Sequence, residues 1–214
     1  MDVQVPEGYY LTEKYASLER FISYFYQIKG IRQAAPESLL FIGVGDGVVP
    51  SLVRKSISMT TFDFDVSLRP DVVGDVRSIE LPDRSFDAVC IYEVLEHLPF
   101  DEMKKALAEL ARVSKRTVLL SVPHRRTGFE FVLKFPGMRS LLKRSMIDLA
   151  FRWPVRFPGF AISTQHHWEI DGHTTTLAQF RAALSEHFDI VAEQTPVLDT
   201  YHRFFTLRVR PHTA

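Results

Sequence analysis

Glycines follow an apolar run near the start of the chain and could bring a ligand against the backbone. The run Leu39–Ile42 leads directly into Gly43, Gly45 and Gly47. Glycine lacks a Cβ, so it adopts positive φ angles and lets ligand atoms pack on the main chain, while a following helix offers unpaired N–H groups. This pattern is typical of turns that hold nucleotide-like ligands, although a tight strand-to-helix turn without a ligand uses the same glycines.

An acidic residue follows at the spacing expected for a ribose-binding carboxylate. The second apolar run ends in Asp63, about twenty residues after Gly43. The glycines do not complete the nicotinamide-binding fingerprint, because Val48 stands where its third glycine is needed and Gly47 comes one position early. A nicotinamide-dependent dehydrogenase is therefore a distant alternative.

The glycine turn and Asp63 begin a series of ordered blocks. Segment 72–76 contains Gly74 and Asp75, and segment 85–98 reads SFDAVCIYEVLEHL. Together these blocks resemble the class I S-adenosylmethionine-dependent methyltransferase family over residues 38–122, and the likeness continues more weakly toward the C-terminus. The resemblance implies S-adenosylmethionine as cofactor and S-adenosylhomocysteine as its product.

The resemblance also implies which residues contact this cofactor. The glycine turn holds its methionine end, and the acid closing the second strand binds the ribose hydroxyls, with Asp65 as a nearby rival. The acid after the third strand binds the adenine amino group, apolar neighbours enclose the ring, and the end of the fourth strand borders the methyl group and substrate. The implied residues are Gly43, Val44, Gly45, Asp63, Phe64, Asp75, Val76, Tyr92 and Glu93.

One position departs from the family's pattern. The family usually has Asp or Glu two positions before the first glycine, where this chain has Phe41. In the family, that acid helps to hold the glycine turn and the methionine ammonium group. Asp46 within the turn is a candidate replacement, and the alternative is a binding or scaffold protein of the same fold that does not catalyse.

Composition bounds the class of protein. The 214 residues are 46% hydrophobic, which fits one globular domain, and 26 basic residues balance 26 acidic ones. This balance gives no general attraction to nucleic acid, so no stable nucleic-acid partner is expected. A lone Cys90 allows no internal disulfide, and the sequence has neither a signal peptide nor a membrane-spanning run, so a soluble cytoplasmic protein is expected. No pattern indicates an oligomeric state.

Strand and helix patterns alternate along the chain. Such alternation predicts an α/β fold with a parallel sheet covered on both faces by helices. Combined with the resemblance, it predicts a Rossmann-like three-layer sandwich whose mostly parallel seven-stranded sheet has an antiparallel edge. Strands are predicted at 38–42, 58–63, 71–75, 86–92, 117–122, 188–194 and 204–209, and helices at 12–29, after Gly47, at 101–113 and at 177–187.

We expect a single domain over residues 1–214. It comprises an N-terminal helix (1–30), a cofactor-binding core (38–122), a cap insertion (124–164), and a closing helix and strands (165–210). The cap is too long for a routine connection and is expected to be helical and rich in aromatic residues.

The cap carries an excess of basic residues among its aromatic ones. Three interpretations stay open: a lid over an anionic or amphipathic acceptor, an element in peripheral contact with a membrane, or a packed subdomain with solvated arginines. The basic residues are Arg125, Arg126, Lys134, Arg139, Lys143, Arg144, Arg152 and Arg156, against the acidic Glu130 and Asp148.

Histidines are the candidate catalytic groups. If the methyl acceptor is a hydroxyl, a base is useful, and histidine titrates near neutrality. His124 follows the fifth strand, and His167, or its neighbour His166, lies where the cap rejoins the core, whereas His97 is assigned a structural role. A metal site from His166, His167 and Glu169 is disfavoured because adjacent histidines do not easily face one ion, and no metal is expected.

The sequence therefore predicts an S-adenosylmethionine-dependent methyltransferase acting on a small molecule. Oxygen acceptors rank slightly ahead of nitrogen or carbon acceptors, because several histidines surround the expected pocket. The sequence does not identify the acceptor, because the cap insertion that should select it matches no recognised pattern.

Overall fold

The computed structural model describes residues 12, 17–125, 127–153, 164–172, 174–199 and 201–211. Helices and strands alternate through most of this part of the chain. The elements are α1 (Leu18–Ala34), β1 (Ser38–Ile42), α2 (Val48–Val53), β2 (Ser58–Asp63), β3 (Val72–Val73), β4 (Phe86–Tyr92), α3 (Phe100–Val113), β5 (Ser114–Pro123), β6 (Thr127–Leu133), α4 (Met138–Leu142), β7 (Ile147–Trp153), α5 (Leu177–Ser185), β8 (Phe188–Gln194) and β9 (His202–Val209), with short 3₁₀ turns at Val66–Leu68 and Leu95–His97.

A seven-stranded sheet has the order β3-β2-β1-β4-β5-β9-β8. Strands β1 to β5 are parallel to one another, whereas β9 runs antiparallel to both β5 and β8. The chain winds outward from β1 to β3 and then crosses back to β4, so the strand order reverses between β1 and β4. The carboxyl ends of these two strands therefore flank a topological switch point, where open α/β sheets bind ligands.

Alternating residues of β1 bury into opposite layers of the fold. Leu39 and Phe41 pack in a cluster with residues of α1 and α2, whereas Leu40 and Ile42 pack in a cluster with residues of α3 and α5. A strand covered on both faces is apolar throughout, which explains the unbroken run that precedes the first glycine. The predicted three-layer α/β sandwich with a mostly parallel sheet is confirmed.

The N-terminal and cap predictions need revision. Helix α1 begins at Leu18, where Ser17 accepts a hydrogen bond from the Arg20 amide, and it continues five residues beyond the predicted end at residue 29, to Ala34. Residues 1–11 and 13–16 of the predicted N-terminal region lie outside the described residues. None of the described helices is long and apolar enough to cross a membrane.

The cap is built mainly from strands rather than helices. Strands β6 and β7 form a separate antiparallel ribbon, joined through the five-residue helix α4. Alternation of apolar residues in both strands, with a period of two, favours a strand over a helix. Three successive cross-strand pairs on one face of the ribbon are apolar: Phe129 with Phe151, Phe131 with Leu149, and Leu133 with Ile147. This apolar ribbon face is largely exposed: Phe129 and Phe131 are 61% exposed and Leu149 is 55% exposed.

Candidate functional site

A cavity of about 440 Å³ opens at the switch point between β1 and β4. Its size lies in the range typical of small-molecule sites. One half of the cavity is formed by the glycine turn after β1 and by the ends of β2 and β3. The other half is formed by the end of β4, the 3₁₀ turn after it, helix α1 and the start of β9.

Backbone conformation explains the glycines of the turn. Gly43, Gly45 and Gly47 have φ angles of 87°, 56° and 74°, a region that other L-residues rarely adopt. A Cβ on Gly43 would lie 2.5 Å from the Val94 side chain, so no larger residue fits there without displacing the segment after β4.

Asp63 fastens this turn to the neighbouring strand. Its Oδ2 accepts a 2.7 Å hydrogen bond from the Val44 amide, and its Oδ1 accepts one of 3.0 Å from the Asp65 amide. Burial raises the pKa of Asp63, and these amide hydrogen bonds oppose that rise. Both Asp63 and its rival Asp65 are buried and line the cavity.

A second carboxylate braces the turn from inside. Asp46 accepts a 2.6 Å hydrogen bond from the Tyr24 hydroxyl and a 3.1 Å one from the Val48 amide. Phe41, which replaces the family's usual acid, is 2% exposed and packs against Tyr92 with their ring centroids 6.0 Å apart. The turn is thus held by Asp63 and Asp46, and Phe41 belongs to the core.

Apolar residues form the wall next to the ends of β2 and β3. Phe62, Phe64 and Val76 line the cavity, and a Cβ on Gly74 would approach Phe62 to 2.7 Å. Gly74 therefore lets the chain pass close to that ring.

Asp75 departs from the expected role. Its carboxylate is bound by the Arg77 side chain, with Nε at 2.9 and 3.0 Å from its two oxygens, and Arg77 also contacts Glu102. This ion pair lowers the pKa of Asp75. Gly74 and Val76 on either side line the cavity but Asp75 does not, because Arg77 occupies its carboxylate.

Glu93, at the end of β4, is the centre of a buried polar network. It has a positive φ of 56°, an uncommon conformation for glutamate that tends to occur at functional sites. Its carboxylate binds the Arg20 guanidinium and the Ser23 hydroxyl of α1. Burial opposes ionisation of Glu93, but His202 and Arg20 outweigh it and keep the pKa of this carboxyl below its ordinary value.

His202 connects this network to β9. Its Nε2 lies 3.4 Å from Glu93 Oε2, and its Nδ1 lies 2.9 Å from Asp199 Oδ2. Burial disfavours the imidazolium and lowers the pKa of His202. The negative charge of Glu93 and the hydrogen bond to Asp199 outweigh burial and raise this pKa to about 9. His202 is therefore a fixed cation at neutral pH and does not act as a base there.

The 3₁₀ turn after β4 adds a carboxylate and an imidazole to the second half of the cavity. Glu96 is 1% exposed, and burial together with Glu93 raises the pKa of its carboxyl to about 8. His97 and His166 line the cavity beside it, with ring centroids 5.0 Å apart. Burial lowers the pKa of His97.

The two histidines proposed as catalytic from the sequence lie elsewhere. The His124 ring is 1% exposed, with Nε2 2.9 Å from Asp171 Oδ2 and Nδ1 3.3 Å from the Arg203 guanidinium. It follows β5 as expected, but these contacts tie it into the structure and it does not line the cavity. The His167 ring is exposed in a separate depression beside Phe100, and only its backbone amide reaches toward the site, donating to the Glu96 carbonyl. The polar residues that do line this half include Glu96, His97, His166, Tyr201 and His202.

Helix α1 contributes residues that the sequence did not reveal. Arg20, Tyr24 and Gln27 line the cavity at spacings of four and three, which places them on one helical face. Spacing alone does not separate such a face from the ordinary packing surface of a helix. The signal available in the sequence is that two polar residues and a tyrosine recur along one face of α1.

Family comparison agrees with the cavity. Residues 40–122 match the model of a methyltransferase domain family. The chain is therefore similar to methyltransferase domains over residues 40–122. The matched part runs from β1 through most of β5 and includes the glycine turn, Asp63 and Glu93. No curated protein sequence matches the chain.

Solved methyltransferase structures share the fold of this chain. The N-methyltransferase NodS of Bradyrhizobium japonicum, in complex with S-adenosylhomocysteine, is 10% identical with a TM-score of 0.61, and the match covers 97% of this chain and 94% of that one. The magnesium protoporphyrin IX methyltransferase ChlM of Synechocystis, with the same product bound, is 14% identical with a TM-score of 0.57, covering 98% and 90%. An S-adenosylmethionine-dependent methyltransferase of Clostridium acetobutylicum is 8% identical with a TM-score of 0.62, covering 94% and 96%.

The first half of the cavity fits S-adenosylmethionine, the cofactor of this family. Gly43 and Gly45 both line the cavity, where they present only backbone atoms. Asp63 and Asp65 present carboxylates suited to ribose hydroxyls, and the apolar wall with Phe62 suits a purine ring.

We predict that Asp63→Ala lowers the affinity for S-adenosylmethionine at least about tenfold, because it removes both the support of the glycine turn and a carboxylate facing the cavity. Calorimetric titration measures the affinity, and thermal melting reports the accompanying loss of stability, on the order of 1–3 kcal/mol. Asp65→Ala is the matched control. If Asp65→Ala weakens binding while Asp63→Ala leaves it unchanged, ribose recognition belongs to Asp65.

We predict that the stability contributed by His202 is complete below about pH 6.5 and is lost as the pH rises to about 9, because the folded state holds this proton more tightly than the unfolded chain does. The melting temperature of the wild type should exceed that of His202→Gln by on the order of 5 °C near pH 6. The difference should shrink by pH 10. A difference that stays constant with pH would contradict a charged His202.

Proposed function

We propose that this methyltransferase transfers the methyl group of S-adenosylmethionine to an oxygen atom of a small molecule. The observation that carries the proposal is the division of one cavity into two chemically different halves. The glycine turn, buried carboxylates and apolar wall form the first half, which suits the cofactor. Carboxylate and imidazole side chains form the second half, which suits an acceptor that must lose a proton.

Bound S-adenosylmethionine supplies an activated methyl group on a sulfonium, so the protein's main task is to orient the acceptor and to accept its proton. Tyr92 and Glu93, at the end of β4, line the cavity. Glu93 and the cationic His202 form a rigid, buried polar wall there, held by Arg20 and Asp199. Such preorganised groups position a polar acceptor at little further entropic cost.

The preference for oxygen rests on the groups in the second half. A hydroxyl is a poor nucleophile until its proton is removed, whereas a neutral amine attacks directly. The ring nitrogens of His97 and His166 line this half and can accept or relay a proton there, in place of His124 and His167. Similar folds include an N-methyltransferase and a magnesium protoporphyrin IX methyltransferase, so the fold does not choose the acceptor atom.

The alternative is a binding or scaffold protein of the same fold without turnover, and the observation that favours it is Phe41. Against this alternative, Asp63 and Asp46 hold the turn in the absence of the usual acid. The Tyr24–Asp46 hydrogen bond also ties the turn to helix α1, which lines the acceptor half.

We predict binding of both S-adenosylmethionine and S-adenosylhomocysteine by calorimetry, and no binding of NAD. Incubation with deproteinised cell extract and ¹³C-methyl-labelled cofactor should give a labelled product whose carbon chemical shift identifies an O-methyl group. An N-methyl or C-methyl product would refute the choice of oxygen. Cofactor binding without any labelled product would favour the scaffold alternative, and failure to bind either compound would refute the enzyme.

The apolar ribbon face also bears on the acceptor. We propose that it rests against an anionic membrane surface, from which an amphipathic acceptor reaches the cavity. A contiguous exposed apolar face is uncommon unless it meets a partner. Lys134, Arg139, Lys143 and Arg144 surround α4 at the end of the ribbon and are all exposed, which complements anionic head groups. Apart from this membrane contact, we propose that the protein lies in the cytoplasm. The buried Cys90 thiol, which forms no disulfide, fits a reducing compartment.

We predict that the protein co-sediments with vesicles containing phosphatidylglycerol more than with vesicles of phosphatidylcholine, and that salt weakens the association. The double change Phe131→Ser with Leu149→Ser, an opposed pair on the ribbon face, should reduce binding several-fold. Val191→Ser is the control, because Val191 is 58% exposed on β8, in the other sheet. Equal loss in the control would contradict a specific role for the ribbon.

A further inference from the structure

Three side chains in the acceptor half converge on one point. One carboxylate oxygen of Glu96 and one ring nitrogen each of His97 and His166 all lie within 4.8 Å of one another. Glu96 and His97 come from the 3₁₀ turn after β4, whereas His166 arrives from the segment that rejoins the core after the cap. These three residues differ from the set His166, His167 and Glu169 that the sequence analysis considered. The His167 ring lies in another depression, and Glu169 binds the His166 ring.

The hydrogen bonds of both rings set their tautomers. His97 Nδ1 lies 3.0 Å from the Gln165 carbonyl oxygen, and His166 Nδ1 lies 2.9 Å from Glu169 Oε1. Each of these partners is an acceptor, so each Nδ1 carries the proton and donates it. The Nε2 lone pair of each ring is left for a ligand, which is how metal-binding histidines are commonly oriented by a carbonyl or carboxylate behind them.

Glu96 supplies the independent observation that the point needs a ligand. Glu96 is 1% exposed, and its Oε2 has no hydrogen-bond partner among the residues that the structure describes. A buried acceptor without a partner costs on the order of 1–3 kcal/mol, so such an atom calls for an explanation. The nearby arginines are already engaged, since Arg20 binds Glu93 and Arg125 binds Glu169.

We propose that Glu96, His97 and His166 bind a divalent first-row transition metal ion. Two imidazoles and one carboxylate suit Mn²⁺, Fe²⁺, Co²⁺ or Zn²⁺ better than Mg²⁺ or Ca²⁺, which prefer oxygen ligands. Donors around one such ion lie about 3 to 4 Å apart, so small side-chain rotations bring the three onto it. Glu169 and the Gln165 carbonyl are positioning groups, because they act through the imidazoles.

All three residues line the cavity, so an ion held by three protein ligands would have coordination positions open toward it. An open position binds an oxygen of the acceptor and lowers the pKa of a bound hydroxyl, which reduces the need for a protein base. The inference thus narrows the acceptor to a molecule with a metal-binding oxygen, such as a phenol or a vicinal diol. This role rests on the proposed function, whereas binding of the ion does not.

Cobalt titration tests the ion site without any turnover. Tag-free full-length protein, treated with a chelator and dialysed, is titrated with Co²⁺ alone, and visible absorption bands report its coordination by the protein. We expect saturation at one ion per chain in the wild type. Glu96→Gln, His97→Gln and His166→Gln should each weaken binding at least about tenfold. His167→Gln is the matched control, as it removes the neighbouring imidazole that faces the other depression.

Thermal melting and affinity for S-adenosylhomocysteine establish that each variant is folded. Wild-type binding weaker than millimolar, or equal binding by wild type and the Glu96 and His166 variants, would overturn the metal site. Loss of binding in His167→Gln alone would overturn this ligand set. If Co²⁺ binds as expected but no methyl transfer is found, the proposed function fails and the metal site stands. If methyl transfer persists at full rate in chelator-treated protein, the role of the ion on the acceptor is overturned, whereas the proposed function stands.

Discussion

The hydrogen bond from the Val44 amide to Asp63 is the contact on which the cavity depends. It joins the turn after β1 to the end of β2, so the glycine backbone and the buried carboxylate reach the switch point in one fixed arrangement. Methyltransferases of this class usually place an acid before the first glycine, and this chain has Phe41 there instead. Support for the turn comes instead from Asp63 of the neighbouring strand and from Asp46 of the turn itself, while Phe41 packs against Tyr92.

A second constraint ties the acceptor half together. Glu93 leaves β4 with a positive φ and binds Arg20 of α1 on one side and His202 of β9 on the other. Elements from the start, middle and end of the described chain therefore meet at one buried carboxylate. A buried charge is tolerable only when it is paired, so removal of either cation leaves Glu93 uncompensated. The polar wall is consequently rigid, which suits a reaction that depends on alignment.

Local sequence patterns predicted most of the sheet. The bounds of β1, β2, β4 and β8 follow from apolar runs ended by glycine, acidic or polar residues, and α3 follows from its apolar stripe. The acceptor half was harder to predict, because it is assembled from residues far apart in the chain. His124 follows its strand as expected, yet Asp171 and Arg203 bind it within the structure. Asp75 matches a family position, yet Arg77, two residues later, occupies its carboxylate. The cap was predicted to be helical and aromatic. Its apolar residues recur with a period of two, however, and this period indicates the strands that the structure has.

The segment Glu93–His97 explains why the two halves of the cavity act as a unit. Gly43 needs the space next to Val94, so the cofactor turn determines where this segment runs. The 3₁₀ turn that follows then places Glu96 and His97 near His166. The His167 amide donates to the Glu96 carbonyl and so fixes the segment that rejoins the core after the cap. A change in the glycine turn therefore alters the acceptor half as well. Affinity for the cofactor and selectivity for the acceptor are coupled through the path of this segment and through the Tyr24–Asp46 hydrogen bond, which joins the turn to α1.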